Sequence, residues 1–238
     1  MNKTLLQLIQ EVTARTGLVK PVAVVGNQDK QIRQFLGLAN ELVEELVNGY
    51  YWQELSHTAD WTSPGTKLQG ELTTLAPEGF LEIRDGTFFD LTQRIQVFGP
   101  LSNTNWQARR ALPATGPYYQ YRVIQGELFT NPAVPAGHSL SFEYKSQKAI
   151  IAADASRKSS FTVDSDTCVF PDMLILAGLR WKWRQEKRLE FASDLARFNA
   201  MARQLSGADG SKSNLRMDGS NANFQPGIFV PSGSWNIS

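Results

Sequence analysis

The sequence predicts an α+β fold: a helical bundle built from N- and C-terminal helices, an inserted antiparallel β-rich domain, and an extended C-terminal tail. Three observations carry this. Apolar side chains recur at helical spacing near both ends, as in "TLLQLIQEVTART" and "FASDLARFNAMARQL". Between them the period drops to two while Gly and Pro become dense, the mark of strands joined by turns. From Ser206 onward the chain turns to Gly, Ser, Asn and Asp and loses its pattern. These shifts divide the chain into N-terminal helices of the bundle (1–54), an inserted β-rich domain (55–165), one long C-terminal helix of the bundle (166–205) and an extended docking tail (206–238).

Leu5, Leu6, Ile9 and Val12 predict a helix over 4–16, with Gly17 where a left-handed C-cap falls. The linker "LVKPVAVVGN" follows. Asp29 is an N-cap candidate for a helix over 29–48 that carries Ile32, Phe35, Leu36, Ala39, Leu42, Val43 and Leu46 on one face, and Gly49 ends it. Early strands are expected near 70–75 and 93–98, then a short helix over 102–112 capped by Ser102. The run "YYQYRVIQGELFTNPAVPAGHSLSFEYKS" reads as a meander, with strands near 118–124, 126–130 and 139–146. Pro171 suits the first position of a helix running to Leu205, with Phe191, Leu195, Phe198, Ala202 and Leu205 on one stripe. Each stripe is too apolar to face water, so the helices flanking the insertion are expected to share one bundle.

Composition removes several functions. With 42% hydrophobic and 20% charged residues in 238, the chain is globular in type. Its 24 basic and 23 acidic residues leave a net charge of +1, which supplies no global attraction to nucleic acid or an anionic membrane. The start lacks the unbroken apolar run of a leader, and no stretch of about 20 apolar residues occurs, so no membrane partner is expected. Cys168 is the single cysteine, and His57 and His138 have no second ligand at a metal spacing; no metal and no cofactor are expected. A nucleophile elbow and a phosphate loop are both missing. Glu71, Glu78, Glu82, Asp85 and Asp90 lie close in sequence, and a glycosidase pair can come from such a set. Clustered acids in a loop-rich region are more often solvated turn residues.

Two segments stand out. In "LRWKWRQEKRLEF", Arg180, Lys182, Arg184, Lys187 and Arg188 interleave with Trp181 and Trp183, a pattern shared by nucleic-acid surfaces and by packed interfaces. Arg180, Arg184 and Lys187 share a face with Met173, Ala177, Phe191 and Leu195. An apolar stripe therefore turns basic in mid-helix, on a face that should be covered. Glu41, Glu44 and Glu45 are available partners, within the subunit or across to a neighbour. Packing or a subunit interface through Arg180, Trp181, Trp183 and Arg184 is the favoured expectation. The second segment is the ending, which keeps Phe224, Ile228, Phe229, Val230 and Trp235 at irregular spacing. Such anchors are expected to order by docking on a partner.

The series "TLLQLIQEVTARTGL", "VVGNQDKQIRQFLGLANELVEEL", "YYWQEL", "DGTFFDLTQRIQVFGPLSNTNWQARRAL", "SLSFEYKS" and "PDMLILAGLRWKWRQEKRLEFASDLARF" resembles tailed-bacteriophage head-to-tail adaptors. These are similar to the tail accessory and tail tubular proteins of short-tailed phages. The order of segments matches from about residue 4 to 205. The resemblance implies a non-enzymatic structural protein of the virion neck, assembled in the host cytoplasm. It implies a homo-oligomeric ring of about twelve copies, joining the portal protein to a distal tail or nozzle protein and leaving a channel for genomic double-stranded DNA. Phe224, Ile228, Phe229 and Trp235 would then dock on the portal or a neighbouring subunit, and the 180–184 set would lie at an oligomer or portal interface. Two alternatives stay open: a virion-associated peptidoglycan glycosidase using carboxylates of the β domain, and a double-stranded-DNA-binding protein using the 180–188 face.

Overall fold

A computed structural model describes residues 2–111 and 118–209 of the protein. The first helix, α1 (Leu5–Thr16), is fixed at both ends by local chemistry. Thr4 and Gln7 exchange the two hydrogen bonds of a capping box, and Gly17 at φ 73° closes the helix with its N–H on the Thr13 carbonyl. Helix α2 (Lys30–Gly49) starts at Asp29, whose carboxylate accepts the Gln31 N–H at 2.7 Å. Its buried stripe is Ile32, Phe35, Leu38, Ala39, Leu42, Val43, Leu46 and Val47, the i, i+3, i+4, i+7 rhythm of a core-facing helix.

A 3₁₀ turn at Gln53–Leu55 leads into the β domain. Its elements are β1 (Ser56–Thr62), β2 (Leu68–Glu71), the single helical turn α3 (Leu72–Leu75), β3 (Phe80–Ile83), β4 (Phe89–Asp90), β5 (Ile95–Gln96), α4 (Asn103–Ala111), β6 (Gln120–Ile124), β7 (Glu127–Asn131) and β8 (Ser139–Ser146). β8 is the hub. It pairs antiparallel with β1, from Ser56 opposite Lys145 to Thr62 opposite Ser139, and along its other edge with β3 and β4. β2, β7 and β6 form a second antiparallel sheet. Between the two lies a separate aromatic core of Phe88, Phe142, Tyr121 and Tyr144. The expected strand over 70–75 is shorter and earlier than the sequence suggested, because the chain turns into α3 at Leu72. Ser102 does cap α4, its Oγ accepting the Asn105 N–H at 3.2 Å.

Three short strands, β9 (Ile150–Ile151), β10 (Arg157–Lys158) and β11 (Thr167–Cys168), return the chain to the bundle. The loop before β11 is a clip for the N-terminal segments. Leu5 N–H donates to the Asp166 carbonyl at 2.8 Å and Leu6 N–H to that of Asp164 at 3.2 Å. The Asp164 carboxylate takes the N–H groups of Val24 and Val25. Asp166 holds the loop itself, its buried carboxylate accepting from the Thr162 and Val163 N–H groups at 2.8 and 2.9 Å and from Lys158 at 3.0 Å. Burial alone raises the Asp166 pKa, but the two backbone donors and the Lys158 ammonium outweigh it and leave it below the usual carboxylate value.

The C-terminal part departs from expectation in two respects. The single helix predicted over 171–205 is two helices, α5 (Asp172–Glu186) and α6 (Ala192–Asp209). Arg188 adopts φ 54°, Leu189 N–H reaches back to the Arg184 carbonyl at 2.9 Å, and Arg188 N–H reaches that of Gln185 at 2.9 Å. That pair of bonds is a Schellman C-cap with arginine where glycine usually sits. No Gly or Pro marks the break, so periodicity alone runs through it. α6 also continues past Leu205 to Asp209, beyond the expected end of the helix; residues 210–238 lie outside the described residues.

α5 packs on α1, α2 and α6, and the flanking helices do share one core, with Phe35, Leu42 and Phe198 buried in it. Phe191 and Leu195 sit at its edge, half-buried. α5 and α2 approach so closely that a Cβ on Gly178 would clash with the Leu42 side chain. The Arg84 guanidinium covers the Tyr51 ring at 3.6 Å and donates to the Trp52 carbonyl, tying the 3₁₀ turn to the sheet.

Two expectations follow from these contacts. Arg188→Gly places the residue without a Cβ penalty at a left-handed position and should raise stability by about 0.5–1 kcal/mol in urea unfolding; a loss of stability would contradict the cap. Asp166→Asn should cost about 1–3 kcal/mol at pH 7. A depressed carboxyl stabilises above its unfolded pKa of about 3.9 and loses that contribution as pH falls through the folded value. The gap between variant and wild type should therefore narrow below about pH 4, and a gap that widens there would contradict the assignment.

Candidate interaction surfaces of the helical bundle

The cationic helix flagged by the sequence is α5, and its side chains divide between two sides. Trp183 stacks on Phe35 of α2, with centroids 4.2 Å apart and an interplanar angle of 15°. Lys187 caps the same indole at 4.3 Å and donates to Gln34 at 3.0 Å. Trp181 packs against Phe191 and Phe198 of the α6 region at 6.5 and 6.0 Å. Both indoles are thus inside the subunit, 9% and 5% exposed. Of the four residues expected at an interface, only Arg180 and Arg184 keep surface to offer a neighbour.

Lys182 is the most constrained cation. Its side chain is 4% exposed, and its ammonium donates to Glu41 and Glu45 of α2 at 2.7 Å each. Burying a lysine is unfavourable unless its charge is met, and two carboxylates one helical turn apart meet it. Glu41 and Glu45 were available partners in the sequence, but for the wrong cations. On the opposite side of α5, Arg184 and Arg180 converge on Asp194 of α6 at 2.8 and 3.3 Å, and Asp194 is itself mostly covered. This explains the stripe that turns basic in mid-helix. The break after Glu186 lets α6 fold back, bringing a carboxylate over the two arginines.

A groove of about 180 Å³ runs between α1 and α6 over α5. Met173, 64% exposed, and Ala177 lie in it with Leu176 beneath. Its rim carries Lys3, Arg15, Arg180 and Arg197, and the rim's carboxylates, Glu11 and Asp194, are each shared by two cations. Sequence reasoning missed this groove because it joins residues nearly two hundred positions apart.

Of the other residues singled out by type, Asp90 and Cys168 are buried, and His57 and His138 are partly covered. Asp90, fully buried, accepts the Thr92 and Gln93 N–H groups at 2.9 and 3.0 Å and meets His138 Nδ1 at 2.7 Å. Burial lowers the His57 pKa and pushes the Cys168 thiol up to about 12, the behaviour of a packed residue rather than a nucleophile. Among the described residues no His, Cys, Asp and Glu group could hold a metal ion, and no helix is long and apolar enough to cross a membrane. Phe224, Ile228, Phe229 and Trp235 lie outside the described residues.

Lys182→Ala should cost about 1–3 kcal/mol in urea unfolding, toward the lower end because Glu41 and Glu45 are half-exposed and screened. Lys182→Met, which keeps the packed stem, should recover part of that loss. An unchanged midpoint for the alanine variant would mean that the charge cluster does not hold α2 to α5.

No curated protein matches the chain. A family model described as SU10 adaptor protein matches residues 3–223, which takes in both bundle halves and the whole β insertion and stops one residue short of Phe224. The chain belongs to the SU10 adaptor protein family, a family of bacteriophage head-to-tail adaptors.

Proposed function

We propose that this protein forms a ring beneath the portal of a phage particle, links the portal to a distal tail or nozzle protein, and leaves a channel through which genomic double-stranded DNA passes. The observation that carries the reading is family membership across nearly the whole chain. The cations in the middle of α5 are met within the subunit, Lys182 by α2 and Arg180 and Arg184 by Asp194. That pairing weakens the alternative of a DNA-binding face over 180–188. The carboxylates of the β domain that a glycosidase would need include Asp90, which is committed to a turn and to His138.

In this reading the ring has about twelve copies, and closed cyclic symmetry makes each contact repeat around it. Phe224, Ile228, Phe229 and Trp235 dock in apolar pockets of the portal or a neighbouring copy. Aromatic anchors supply much of the affinity in such contacts, and repetition around a ring lets individually weak docking suffice. Arg180 and Arg184 lie near the same oligomer or portal contact.

Mass measurement of the purified chain, alone and with its portal, tests this. A monomer that enters a ring only in the presence of portal is the expected result. A stable monomer that ignores the portal and cleaves peptidoglycan would replace the adaptor with the enzyme. Deleting 224–238 should leave thermal unfolding of the monomer nearly unchanged while weakening its attachment to particles; a large drop in monomer stability would assign those residues to the subunit's own core.

A further inference from the structure

We infer that the bundle carries both halves of a head-to-tail contact between copies of this chain: the cationic groove between α1 and α6 receives the acidic ridge of α2 from the neighbouring copy. The inference rests on the ring reading above and names the surfaces that close the ring.

Charge is the first argument. The chain as a whole is nearly neutral, at +1, yet its charge is segregated. The groove and the α1 surface beside it collect Lys3, Arg15, Lys20, Arg180 and Arg197 against Glu11 and Asp194. The α2 ridge collects Glu41, Glu44 and Glu45, whose neutralising partner among the described residues is Lys182 alone, on Glu41 and Glu45. Arg197 and Glu44 are exposed and have no partner among the described residues. Each surface has a surplus of one sign, and the surpluses are opposite.

Position is the second argument. On α5, Met173, Ala177, Arg180 and Arg184 fall on one side, while Lys182 lies about half a turn around the helix, at 3.6 residues per turn. The groove lies over the first side and α2, through its bond to Lys182, over the other. Complementary patches on opposite faces of one subunit cannot pair within it. They pair between copies in a heterologous, head-to-tail contact, the kind that closes into rings. Shape agrees: Glu41, Glu44 and Glu45 project at i, i+3 and i+4 as a ridge, and ridges pack into grooves.

Two other occupants fit less well. The segment 210–238 contains Lys212 and Arg216 against Asp218 and brings no surplus of carboxylate. A DNA duplex would be drawn to the same cations but leaves the apolar floor of Met173 and Ala177 unused.

Charge reversal in the full-length chain, expressed during phage growth, tests the contact by copies retained per purified particle. Arg197→Glu and Glu44→Lys should each reduce retention by at least about tenfold, since like charges then face each other. Their circular dichroism and thermal unfolding should match wild type. Combining both reversals in one chain should restore retention. Co-expressing the two single variants should restore it as well, because the reversed groove of one then meets the reversed ridge of the other; only a contact between copies gives that second rescue. Wild-type chain absent from particles would sink the ring reading itself. Wild-type chain present together with normal retention of both variants, or with losses that neither combination rescues, would overturn this contact and leave the ring reading standing. Losses for Arg197→Glu that track reduced binding of a duplex oligonucleotide would give the groove to DNA.

Discussion

Every helix of the bundle is positioned by α5, and α5 is positioned by how closely it can approach α2. Gly178 leaves no room for a side chain against Leu42, and that closeness brings Phe35 onto Trp183 and Lys182 between Glu41 and Glu45. Leu42, fully buried, is held from all sides, so the contact has little give. Burial of such a side chain contributes about 1.5–3 kcal/mol. The polar contacts around it contribute less each, but they fix the rotation of α5 about its own axis. Rotation matters here, because it determines which face of α5 stays exposed.

The break after Glu186 has the same importance on the other side. Had α5 continued, Arg180 and Arg184 would face water or a partner. Because Arg188 turns left-handed and the chain reverses, Asp194 and Phe198 cover that face and a groove opens between α6 and α1. One backbone turn thus converts a cationic helix surface into a packed interior with a cationic rim. The β insertion is anchored separately, through its own aromatic core and through Arg84 at the 3₁₀ turn, so it does not compete for α5.

Much of this was legible in the sequence. Gly17, Asp29 and Ser102 mark helix ends by local chemistry, and the structure uses all three. The strands β6, β7 and β8 follow from alternation, but the expected meander does not form: β6 pairs with β7, whereas β8 joins the other sheet. What was not legible depends on long-range contact. Arg188 carries no signal for a left-handed conformation, and neither Asp194 nor Lys182 announces its partner, because ion pairing across helices has no sequence period. Trp181 and Trp183 looked like interface anchors since interfaces and cores favour the same aromatic residues. The groove needs three helices in place before it exists.

The central claim is that the cationic helix is the packed centre of the bundle and not an exposed nucleic-acid surface. Hydrogen–deuterium exchange of the full chain, with and without a DNA duplex, tests it most directly. The account predicts that the α5 amides from Leu174 to Trp183 exchange among the slowest in the chain, through global opening, and that duplex DNA leaves them unchanged. Rapid exchange in α5, or protection of 180–188 that appears only with DNA, would contradict it.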